Sequence, residues 1–151
     1  MEIKLEIATL EDTDILFEMQ KKSFQSLLDK YQDFETNPAN ETVDNIKSRM
    51  NNGIYYKIFV ENDLVGAVRV VIKGRSNWIS PIFVLPEYQG KGIAQKAMLK
   101  IETLFPNAQS WELQTILQEK GNCYLYEKLG YKTTDNKIQI NDRMTLVHYK
   151  K

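Results

Sequence analysis

Apolar and polar residues alternate along IKLEIA (residues 3 to 8) with a period of two, the pattern of a half-buried strand. Thr9, with Asp12 three residues on, then offers an N-cap and a first-turn carboxylate. A helix is therefore expected from there, carried by Ile15, Leu16, Met19, Leu27 and Leu28 to about residue 29. YQDFETNPAN (31 to 40) reads as a loop broken by Pro38, and a short helix is expected over 42 to 51. IYYKIFV (54 to 60) and LVGAVRVVIK (64 to 73), joined around Glu61, Asn62 and Asp63, predict an antiparallel hairpin. SNWISPIFVL (76 to 85) predicts a third consecutive strand. After Pro86 the period lengthens: Ile93, Ala94, Ala97, Met98 and Ile101 recur at helical spacing until the chain meets Pro106. SWELQT (110 to 115) is a short strand candidate. Residues 119 to 129 form a helix with Gly130 as its left-handed stop, and residues 131 to 140 and 143 to 150 close the chain as two strands.

The expected order is β-α-α-β-β-β-α-β-α-β-β, an α/β class chain with a mixed, mostly antiparallel sheet flanked by helices. No repeat, linker or low-complexity tract interrupts it, and 151 residues with 42% apolar composition suffice for one sizeable core. A single domain spanning 1 to 151 is expected.

Charge and cysteine content narrow the function classes. Twenty basic residues balance twenty acidic ones, which gives no global pull toward nucleic acid or an anionic membrane. One cysteine, Cys123, precludes an internal disulfide. The first residues lack the apolar core of a signal peptide, and no apolar run approaches a membrane span. A cytoplasmic protein is the expectation, with no nucleic-acid or membrane partner and no metal.

Candidate chemistry centres on QGKGIA (89 to 94), between the third hairpin-region strand and the following helix. Gly90 and Gly92 permit backbone angles closed to other residues, so main-chain amides can approach a ligand. Free N–H groups opening a helix favour a phosphate or pyrophosphate, and Lys91 adds a charge. The same glycines also suit a plain turn. A P-loop is excluded because no GxxxxGK[ST] string occurs, and a dinucleotide-binding unit needs its glycine motif after the first strand of a βαβ series.

Two motifs at the right separation point further. Val84-Leu85-Pro86 followed by Gln89-Gly90-Lys91-Gly92-Ile93-Ala94 resembles the V-x-P and [QR]-x-x-G-x-[GA] signature of the GNAT acetyltransferase superfamily, and YEKLGY (Tyr126 to Tyr131) resembles its late-helix Y-E-K-x-G-[FY] hallmark. The resemblance covers about residues 78 to 131. It implies the GNAT fold and acetyl-CoA as acyl donor, with direct transfer to a primary amine of a small molecule or peptide through a ternary complex. It further implies that the pantetheine arm bonds to the main chain of Ile82, Phe83 and Val84. The pyrophosphate would rest on the amides from Gly90 through Lys91, Gly92, Ile93 and Ala94 to Gln95, with Gln89 shaping the loop.

Transfer to an amine requires loss of the ammonium proton, stabilisation of an oxyanion and protonation of the leaving thiolate. By family position, Tyr126 is the general acid, and a main-chain amide near Phe83 and Val84 is the oxyanion donor. Asn122 is assigned to the pantetheine amides, although the commoner family spacing places the asparagine at the position of Glu119; helix capping is its plain alternative. Glu112 and Glu119 are the base candidates, each lying near the expected acceptor site. His148, the only histidine, reads as structural or surface, Cys123 as a small buried group, and Trp78 and Trp111 as core. The acceptor side implied by the family is Phe24 to Asn40 and roughly Asp135 to Arg143. Tyr31, Asp33, Phe34 and Glu35 there suit a cationic amine. A non-catalytic acyl-CoA-binding or regulatory module remains open as a second class. A monomer or homodimer is expected, with edges of the terminal strands available for pairing.

Overall fold

A computed structural model describes the whole chain, Met1–Lys151. The strands are β1 (Ile3–Ile7), β2 (Ile54–Val60), β3 (Asp63–Lys73), β4 (Ser76–Val84), β5 (Ser110–Ile116), β6 (Lys132–Gln139) and β7 (Thr145–Lys150). Four α-helices intervene: α1 (Thr13–Tyr31), α2 (Val43–Asn51), α3 (Ile93–Leu104) and α4 (Lys120–Lys128). The element order and the mixed α/β class agree with the expectation.

All seven strands join one sheet in the order β1-β2-β3-β4-β5-β7-β6. Every pairing is antiparallel except β4 with β5. The sheet is buried on both faces, and period-two alternation divides its side chains. Tyr55, Ala67 and Phe83 face Leu16, Met19 and Ile46 of α1 and α2. Tyr56, Val68 and Val84, their sequence neighbours, face the larger core with Ile93, Ala97, Met98 and Ile101 of α3. No helix is long and apolar enough to cross a membrane.

Several boundaries differ from expectation for local reasons. The Thr9 N–H donates to Asp12 Oδ2 (2.8 Å), but this pair closes a short 3-10 turn at Leu10–Asp12, and α1 proper starts at Thr13. Helix α1 runs on to Tyr31, where Gln32 turns left-handed (φ 54°). β6 continues to Gln139, so the connection to β7 is residues 140 to 144 rather than Asp135 to Arg143. The sheet edges are β1 and β6, whereas β7 is paired on both sides.

The feature that shapes the site is a divergence of two strands. β4 and β5 pair only at Ser76, Asn77 and Trp78 with Ser110, Trp111 and Glu112. Beyond that, β4 is displaced by an irregularity opposite Arg69, where Val68 pairs with Ile82 and Val70 with Ile79, so that Ser80 and Pro81 together oppose the single residue Arg69 and β4 carries one extra residue. Arg69, 7% exposed, fills the bend. Its guanidinium donates to Ser80 O (2.9 Å), Arg49 O (3.0 Å) and Asn52 O (3.1 Å), tying the displaced strand to the end of α2.

Candidate active site

The gap between the diverging strands is walled by α1 and α4. Every residue the sequence assigned to the cofactor, Lys91 alone excepted, lines a single cleft of about 540 Å³ together with Tyr126. The Lys91 ammonium instead rests 5.5 Å from the centre of the Tyr88 ring, beside the cleft. Ser23, Phe24, Ser26 and Leu27 of α1 supply the opposite wall. Phe24, Ser26 and Leu27 fall in the segment the resemblance assigned to the acceptor side, and Ser23 lies just before it.

At one end of the cleft lies the start of α3. Gly92 caps this helix with φ 81° and Gly90 has φ 76°, both left-handed, and open space surrounds the point where a side chain would begin. The first turn of α3 carries no acidic residue. Gln89 Nε2 donates to Val84 O (2.9 Å), fastening the loop to the end of β4. The loop therefore offers main-chain donors and a helix N-terminus to an anion.

Val84, which the Gln89 side chain reaches, also lines the cleft. Leu85 N–H donates to Val65 O (2.8 Å), so strand alternation turns the Val84 amide away from β3 and toward the cleft. The divergence from β5 leaves this side of β4 without a strand partner.

Tyr126, on the second turn of α4, is 8% exposed and packs against Tyr131 and Tyr149. Burial, with Cys123 adding to it, pushes its phenol up to about 12. The hydroxyl makes no hydrogen bond within the protein, so its proton is uncommitted. Tyr126, Asn122, Ile82, Phe24 and Leu27 also line a second cavity, of about 300 Å³, between β4, β5 and the α1–α2 connection. The two cavities thus meet at Tyr126. Asn122 does not cap its helix, since Glu119 holds the N-cap position and the Asn122 side chain bonds to nothing.

The two glutamates separate. Glu112 sits where β4 and β5 are still joined, opposite Trp78, and lines neither cavity. It accepts from Ser76 Oγ and contacts His148 Nε2 (2.9 Å), while His148 Nδ1 meets Thr134 Oγ1 (2.7 Å). The expectation that Glu112 lies near the acceptor is therefore corrected: it belongs to a buried polar tie across β4, β5, β7 and β6. His148 is structural, stacked on a half-buried Trp78. Glu119 does line the cleft, held by Lys30 Nζ (2.7 Å) and the Tyr31 hydroxyl. Burial raises its pKa, but the bonds from Lys30 and Tyr31 outweigh burial and leave the carboxyl below its usual range. Lys96 and Lys100 donate to Met1 O and Ile3 O (both 2.7 Å) and so anchor β1.

Comparison with known proteins now bears on this geometry. The acetyltransferase (GNAT) family matches residues 14–131, more than half of the chain. The chain belongs to the GNAT acetyltransferase family. As a GNAT member it is an acetyltransferase, with acetyl-CoA as its donor. Solved GNAT-fold structures agree. The ribosomal-protein-S18-alanine N-acetyltransferase of Escherichia coli superposes with a TM-score of 0.79 at 10% identity, over 99% of this chain and 92% of that one. The PaiA N-acetyltransferase of Thermoplasma acidophilum, in complex with coenzyme A, gives 0.73 at 18% identity over all of both chains. The spermidine N-acetyltransferase of Vibrio cholerae, in complex with CoA and spermine, gives 0.77 at 18% identity over 99% and 94%. At these identities the likeness is one of fold. No curated protein matches the sequence.

Proposed function

We propose that this GNAT acetyltransferase moves an acetyl group from acetyl-CoA directly to a primary amine of a small molecule or peptide, with both substrates bound at once in one domain. The observation that carries the reading is the meeting of a long cleft and a smaller cavity at Tyr126 and Asn122. The cleft has the features a CoA arm requires: main-chain donors at a helix start for its pyrophosphate and an unpaired strand edge for its amides. Bound there, acetyl-CoA supplies an activated thioester. Solved neighbours that bind CoA or acetylate spermidine and a ribosomal protein support an amine acceptor.

Two of the three requirements fall to named groups of this chain, and the ammonium proton leaves to solvent water in the open cleft. The Val84 amide, facing the cleft, donates to the oxygen that gains charge at the reacting carbonyl. The Tyr126 phenol holds its proton throughout the neutral range and gives it from Oη to the departing sulfur. The burial that weakens the phenol as an acid also raises the basicity of a thiolate released beside it, so the two remain matched. Asn122 orients the pantetheine amides. Glu119, bound by two donors and with its pKa lowered, is a poor proton acceptor near pH 7 and serves as a strut between α4 and the end of α1.

The test is release of free CoA from acetyl-CoA in the presence of a panel of primary amines. Amine-dependent release supports the proposal. Tight acetyl-CoA binding with no release for any amine would instead favour a non-catalytic acyl-CoA-binding module. A cytoplasmic location belongs to the same proposal, on the strength of the single cysteine.

A further inference from the structure

The smaller cavity holds a feature that bears on the acceptor. Asp33, in the connection after α1, lines it and is only 4% exposed. Its carboxylate enters none of the chain's ion pairs. Two of its bonds come from Thr36, from the main-chain N–H (3.0 Å) and from the hydroxyl. A carboxylate offers about four acceptor positions, so two remain. An acidic group removed from water without a cation is costly, and a cationic ligand in the adjoining cavity would remove that cost.

The other lining groups limit that ligand. Asp33 is the one charged residue along the cavity, whose walls mix Ile79, Leu113 and Leu146 with the neutral polar Asn37, Gln114 and Thr115. The nearest acidic neighbour in the adjoining cleft, Glu119, is already paired with Lys30. A volume of about 300 Å³ stands at the small end of small-molecule sites. A polyamine would bring several charges to a place that neutralises one.

We infer that Asp33 is the cation-binding residue of the acceptor site, and that the acceptor is a compact amine with a single positive charge rather than a polyamine. This rests on the acetyl-transfer reading for its place in the reaction. The Asp33 pairing is made before transfer, and the ammonium gives up its proton to solvent water before the neutral nitrogen attacks the thioester carbonyl.

The test is calorimetric titration of the full chain, with CoA present, using butylamine, phenethylamine, 2-phenylethanol as an uncharged counterpart, and spermidine. Wild type should bind a monoamine at least ten-fold more tightly than spermidine or the alcohol. Asp33→Asn keeps an oxygen for the Thr36 N–H and should weaken the monoamine at least ten-fold. Thr36→Val, which removes the hydroxyl bond but leaves the carboxylate, should retain monoamine binding within about three-fold, equivalent to about 0.65 kcal/mol. If Asp33 serves only to brace its turn, the two variants weaken binding together, and the inference fails. It fails equally if spermidine binds as well as the monoamines, or if no monoamine binds wild type. Acetyl-CoA is titrated separately, because loss of donor binding with an intact Asp33 effect would overturn the acetyl-transfer reading alone.

Discussion

Tyr126 carries the most chemistry of any single residue in this account, and its surroundings make two outcomes measurable. Tyr126→Phe keeps the ring packed on Tyr131 and Tyr149 and removes only the proton donor. We expect kcat to fall about 100-fold or more, the ordinary span of general acid catalysis, with acetyl-CoA affinity unchanged. Steady-state kinetics beside a binding titration separates the two, and full activity across pH would refute the acid role. The phenol also links folding to alkaline pH. Its folded pKa, about 12, lies above that of an unfolded tyrosine, so its contribution to stability is complete below about 10 and is lost as pH rises toward 12. Denaturant melts should show stability falling over that window, less steeply in Tyr126→Phe. Glu119 behaves oppositely: its lowered pKa gives stability above the unfolded value of about 4.3, lost as acid protonates it. Glu119→Gln should flatten that acid loss. At this scale the sequence was readable only in part. YEKLGY picked out Tyr126, yet nothing in the spacing of Glu112 and Glu119 shows that one is tied to His148 and the other to Lys30, since both partners arrive from distant segments.

Among the elements, β4 is the one on which the proposed donor site depends, and two neighbours hold it. Gly66 on β3 lies so close that a Cβ there would stand 2.2 Å from Phe83 O. Gly66→Ala must push β4 away, costing about 1–3 kcal/mol or more, and should weaken acetyl-CoA binding along with stability. Arg69→Met keeps the stem of the side chain but removes the donors to Ser80 O and Asn52 O, at about 1–3 kcal/mol for each, while Arg49 O keeps its bond from the Asn52 N–H. Denaturant midpoints for both variants check these expectations. Strand and helix periods made the elements legible, down to the stop of α3 before Pro106. The bend of β4 was not legible, because a lone arginine within LVGAVRVVIK reads as a solvent-facing strand position. Its burial follows only from the carbonyls that the end of α2 and the displaced Ser80 bring to it.

The whole molecule explains why so few residues suffice. A sheet covered on both faces is rigid, and parting β4 from β5 after three paired residues opens a slot through its middle without breaking either core. The wide cleft and the small cavity enter that slot from different sides and share the wall that carries Tyr126. The order of elements and the spacing of two motifs revealed the family from the sequence. The smaller cavity was legible only in part: Phe24 to Asn40, the acceptor side implied by the resemblance, supplies one wall, whereas the contributions of β5, Met144 and Leu146 follow from no local pattern. The central claim is that the cleft receives acetyl-CoA on the Gly90 to Gly92 turn. Calorimetric titration of acetyl-CoA into the native chain and into Gly92→Glu tests it most directly. This account predicts one-to-one binding by the native chain and its loss in the variant, where a carboxylate would occupy the anion's place. No binding by the native chain, or equal binding by both proteins, would contradict it.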